Sequence, residues 1–103
     1  KGLNAFFHAV LKKNVVLVQL LLEKGVDPNV PNKDGWSALM IAAGVGSLEI
    51  ARLLVEKKAD VNSVSSTGVT ALILSGETGH ADIARLLVEN GANVNASSNE
   101  KAT

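Results

Sequence analysis

The chain repeats itself every 33 residues. Gly2, Gly35 and Gly68 fall on that period, as do Leu21, Leu54 and Leu87, and Asn29, Asn62 and Asn95. Laid over one another, residues 35–67 and 68–100 match at 15 of 33 positions, which fixes the register without gaps. A period of this length denotes a stack of like units, each resting on its neighbours, rather than one globular core. It turns the functional question toward surfaces and away from a catalytic pocket.

One unit shows the plan. Asp34-Gly35 is a turn signal, because glycine takes a positive φ without steric cost. Ser37 can cap a short helix over 38–45, which Gly46 breaks. Ser47 can cap a longer helix over 48–57, where Ile50, Leu53, Leu54 and Lys57 are spaced i, i+3, i+4, i+7. Arg52 and Glu56 form an i, i+4 pair on its wet face. The third unit repeats this with Thr70 as cap and helices over 71–78 and 81–90. The first has Asn4 as cap and helices over 5–12 and 15–24, with Val16 and Gln19 where the later units carry charges. Helices of about ten residues are marginal alone, so their apolar sides must be buried between neighbouring units. The expected fold is an all-α stack of helix-turn-helix pairs.

Composition narrows function by exclusion. Ten Lys and Arg balance ten Asp and Glu, unlike the basic footprint of a nucleic-acid binder or a polybasic membrane patch. Without cysteine there is no disulfide, thiolate metal site or thiol nucleophile. Apolar runs such as 39–45 are far short of the roughly 18 residues that span a bilayer. His8 and His80, the two histidines, stand at non-equivalent positions; the first reads as a partly exposed helix residue and the second as a turn cap. Gly44-Val45-Gly46 lacks the third glycine and the preceding strand of a phosphate loop. Neither a cofactor nor a metal is expected, nor an enzyme. The expected setting is intracellular, in the cytoplasm.

The openings read Gly35-Trp36-Ser37-Ala38-Leu39-Met40-Ile41-Ala42 and Gly68-Val69-Thr70-Ala71-Leu72-Ile73-Leu74-Ser75, and the units close on Leu53 to Asn62 and Leu86 to Asn95. Period, opening and closing together resemble the ankyrin repeat over essentially the whole chain. The resemblance implies an ankyrin-repeat solenoid with projecting β-turn or hairpin loops. It implies one array over residues 1–103, with units at 2–34, 35–67 and 68–100 and the start of a fourth at 101–103, inside a longer protein. The chain departs from the family pattern in places. Ala5, Ala38 and Ala71 replace its proline. Phe7, Met40 and Ile73 replace its histidine, removing that residue's bonds to the loops. Lys58 stands where glycine ends the second helix, and Gly76 weakens the third short helix.

By the same resemblance the function is protein binding, as a scaffold or adaptor, through the turn tips and the concave face of the short helices. The residues so placed are Leu3, Leu11, Lys12, Lys33, Asp34, Trp36, Gly44, Val45, Ser66, Thr67, Val69, Glu77 and Thr78, with Asn99 starting the next row. Trp36 is the expected anchor, with Leu3 and Val69 in its slot of the other units. Asn29, Asn62 and Asn95, each eight residues after a leucine, resemble the position hydroxylated in some ankyrin repeats. The partner is another protein, with the chain a monomer or associated end to end. Alternatives are a spacer within a longer solenoid, or the targeting or regulatory region of an enzyme whose catalytic domain lies elsewhere.

Overall fold

The computed structural model describes residues 3–95, and among them it contains six helices and no strand. They pair as α1 (Leu3–Leu11) with α2 (Val15–Glu23), α3 (Ala38–Val45) with α4 (Leu48–Glu56), and α5 (Ala71–Glu77) with α6 (Ala81–Glu89). Short helices form one layer, α1 on α3 on α5; long helices form the other, α2 on α4 on α6. The expected order is observed, with helix ends a residue or so short of those read from sequence.

The same chemistry closes each helix. Lys13, Gly46 and Gly79 adopt positive φ after the short helices; Gly25, Lys58 and Gly91 do so after the long ones. Past each of these residues the next N–H reaches back into the helix, as from Ser47 to the Ala42 carbonyl at 3.1 Å and from Ala59 to the Leu54 carbonyl at 2.9 Å. Lysine occupies two of the six left-handed positions, at φ 60° and 74°. The side chains of Ser37, Ser47, Thr70 and Asn14 cap α3, α4, α5 and α2.

Two expected caps are not made. Asn4 lies inside α1, which already starts at Leu3. His80 precedes α6 without capping it. Its Nδ1 lies 2.7 Å from Thr78 Oγ1 and 3.2 Å from the carbonyl oxygen of Ala43, one unit back. The Thr78 hydroxyl donates to the Leu74 carbonyl at 2.7 Å, so the ring hydrogen sits on Nδ1 and is shared between Thr78 and Ala43. The ring covers Gly46, where an added Cβ would overlap it.

The core is aliphatic, with Phe6 the large exception. Phe6, Leu39, Met40, Ile50, Leu54, Ile83 and Leu87 are all but fully buried. Met40 fills the place of the family histidine as core, and the loops hold themselves instead. Asn32 Oδ1 accepts from the N–H groups of Asp34 and Trp36, both at 2.9 Å. Ser65, one period on, accepts from Thr67 and Val69. Backbone bonds from Asn32 to the Trp36 carbonyl and from Ser65 to the Val69 carbonyl, each 2.9 Å, close the loops. These tight turns are the projecting loops expected, in their β-turn form, with no strand among the described residues.

Candidate functional site

An open groove of about 540 Å³ runs between α1, α3 and the 32–36 turn. Phe7 and Leu11 of α1 form one wall, and Ile41, Gly44 and Val45 of α3 form the other. Trp36 and Asp34 overhang it from the turn, with Asn4, His8 and Asn32 supplying polar edges. Helical spacing sets the walls: Phe7 and Leu11 are i, i+4, as are Ile41 and Val45, so each pair shares a face. Trp36 is half-buried, held by its backbone bond to Asn32, whereas Leu11 is 53% exposed. A smaller cavity of about 270 Å³ adjoins through Asn4, Phe7, Asn32 and Asp34, and adds Leu3, Pro31 and Lys33.

Of the residues expected to bind, the structure brings Trp36, Asp34, Val45, Leu11 and Gly44 together in the groove, and Leu3 and Lys33 in its neighbour. Lys12 is exposed beyond Leu11. Ser66, Thr67, Val69, Glu77 and Thr78 belong to the third unit and line neither cavity. The Thr78 hydroxyl faces the stack. Asn99 lies outside the described residues. Phe7, His8, Ile41, Asn4 and Asn32 were not anticipated. The 33-residue register equates Phe7 with buried Met40, whereas Phe7 is partly accessible on the groove wall.

Two of the three asparagines expected to carry modification have a structural role. Asn29 Nδ2 donates to the Lys58 carbonyl at 3.0 Å, and the Asp60 N–H donates to Asn29 Oδ1 at 2.7 Å. Asn62 repeats both bonds with the Gly91 carbonyl and the Asn93 N–H. Among the described residues no cluster of His, Cys, Asp or Glu could hold a metal ion, and no helix is long and apolar enough to cross a membrane.

Residues 5–98 match the family model described as ankyrin repeats, in three copies. The chain belongs to the ankyrin repeat family. Ankyrin repeats are protein–protein interaction modules, and the groove lies on the short-helix face between the first two of them. A stretch of 50 residues is 44% identical to Notch-regulated ankyrin repeat-containing protein B of Danio rerio, covering 48% of this chain and 45% of that protein. The Notch-regulated ankyrin repeat-containing proteins of Xenopus tropicalis and Homo sapiens show the same identity over 50 residues, covering 44% of their length. The matched part thus spans less than half of these relatives.

Proposed function

We propose that this ankyrin array is a binding module that holds a segment of a partner protein in the groove between α1 and α3, with an apolar side chain seated against Trp36. The carrying observation is the half-buried tryptophan overhanging a cleft walled by Phe7, Leu11, Ile41 and Val45. A rim-surrounded aromatic beside a preformed apolar cleft is the usual energetic centre of an interface. Lys33, Asp34 and Lys12 surround it and set orientation and association rate more than affinity. Ser66, Thr67, Val69, Glu77 and Thr78 extend the same face along the third unit.

The test is capture from cell lysate with the native chain and Trp36→Ala in parallel, followed by affinity measurement on the protein captured. Trp36→Ala is expected to weaken binding by ~2 kcal/mol or more, with an unchanged helical circular dichroism spectrum. Equal affinity for both proteins would remove the groove from the interface.

Hydroxylation of Asn29, Asn62 and Asn95 remains part of the proposal through the family likeness alone. Asn29 and Asn62 would have to leave their bonds to the next unit to react. Intact-mass measurement of protein from native tissue decides it.

A further inference from the structure

The groove between α1 and α3 is apolar along its walls and rich in donors and positive charge at its two ends. At the turn end, Asn32 Oδ1 already accepts the N–H groups of Asp34 and Trp36, so the Asn32 side chain has its amide N–H groups left to offer. The Trp36 indole beside it is a donor without an acceptor. Lys33 adds an ammonium from the adjoining cavity. At the other end the chain runs from Leu11 on the groove wall into Lys12 and Lys13, both exposed.

Carboxylates are fewer. Asp34 is the one that lines either cavity. Glu77, the acid of the short helices, holds the register position of Gly44 and so lies one unit further along. Asp27 and Asp60 line neither cavity, and each accepts a backbone N–H of its own turn, from Asn29 and Asn62. Three lysines therefore border the groove and its neighbour against one carboxylate.

We infer that the partner segment held in the groove is acidic: a bulky apolar side chain sits against Trp36, flanked by one carboxylate that reaches Lys33 and another that reaches Lys12 or Lys13. This rests on the groove being the binding site, and adds the charge of what it takes. From Asn4 to Leu11 the α1 wall rises about 10 Å. An extended segment advances ~3.3 Å per residue, so its two acids fall about four positions apart, with the apolar residue between them. Asn32 and Trp36 donate to the carbonyl groups of the same segment. Asp34 opposes this ligand, which gives the inference a sign. Removing the Asp34 charge improves binding of an acidic segment and impairs binding of a basic one.

Selection of a phage-displayed library of random peptides on the 103-residue chain tests this, with Trp36→Ala selected in parallel. Enriched peptides are expected to be more acidic than the unselected library, to carry a bulky apolar residue between the acids, and to be lost on Trp36→Ala. The most enriched peptide is then labelled with fluorescein and titrated by anisotropy. Lys33→Glu and Lys12→Glu should each weaken its binding at least about threefold, mainly through slower association, and Asp34→Asn should strengthen it about twofold. Added salt should weaken binding to the native chain. Lys12, Lys33 and Asp34 are exposed, so the fold is retained, and circular dichroism verifies it. Enriched peptides that need Trp36 but are neutral or basic, or an Asp34→Asn chain that binds the acidic peptide more weakly, would overturn the inference and leave the groove as the binding site. Enrichment that persists on Trp36→Ala, or none on either chain, would overturn both.

Discussion

Asn29 and Asp60 meet across two units, the Asp60 N–H donating to Asn29 Oδ1 at 2.7 Å while Asn29 Nδ2 donates to the Lys58 carbonyl at 3.0 Å. The bridge fixes how far one loop sits from the next. Both residues are exposed, so water partly replaces the bonds when the side chain is removed. Asn29→Ala and Asn62→Ala should each cost about 1 kcal/mol of unfolding free energy. Urea unfolding of both variants checks this, and midpoints equal to that of the native chain would deny the bridges their role.

The His80 ring over Gly46 supplies a second test. Gly46→Ala and Gly79→Ala both put a Cβ on left-handed backbone, at φ 83° and 77°, a cost of about 1 kcal/mol each. An added Cβ at Gly79 meets nothing within 4 Å, whereas at Gly46 it meets the imidazole. Gly46→Ala is therefore expected to be the more destabilising of the two. The excess should vanish when both are compared in a His80→Ala background, where the ring is gone. A double-mutant cycle by thermal unfolding reads the difference.

Much of this architecture is legible in the sequence because the repeat states it more than once. Ile50, Leu54, Ile83 and Leu87 mark the buried stripe through their spacing, and Ser37, Ser47 and Thr70 announce the helix starts they cap. The misreadings fall where one unit departs from the others. His80 sits in a cap position but is long enough to reach Ala43 of the preceding unit, a contact that no local pattern encodes. The groove was half legible: Trp36 stands out as a lone aromatic in a turn, whereas the register equates Phe7 with a core position and only the packing of α1 against α3 shows it on the groove wall.

Lysine at left-handed positions points to a stabilising substitution. Lys58 takes φ 74° where the first and third units have Gly25 and Gly91 at 99° and 96°. The Lys58 carbonyl bonds Asn29, so the backbone is held there by the neighbouring unit. Lys58→Gly relieves the Cβ crowding and should raise stability by up to about 1 kcal/mol, less the added entropy of the unfolded chain. A lower urea midpoint than the native chain would show that the lysine side chain contributes more than its backbone geometry costs.

The third unit should open first. Its short helix is the shortest of the six, Ala71–Glu77, and Gly76 lies within its last turn. Its long helix, α6, starts without a side-chain cap because His80 reaches toward Ala43. A side chain at Gly76 would meet nothing within 4 Å, so the glycine is not required by packing. Gly76→Ala should therefore stabilise the chain by up to about 1 kcal/mol, through helix propensity alone. Because local opening of α5 lies below global unfolding, the gain should be larger in amide exchange of residues 71–77 than in the overall midpoint. Slow exchange of that segment relative to α3 and α4 in the native protein would refute the order of opening. Unchanged exchange in Gly76→Ala would refute its cause.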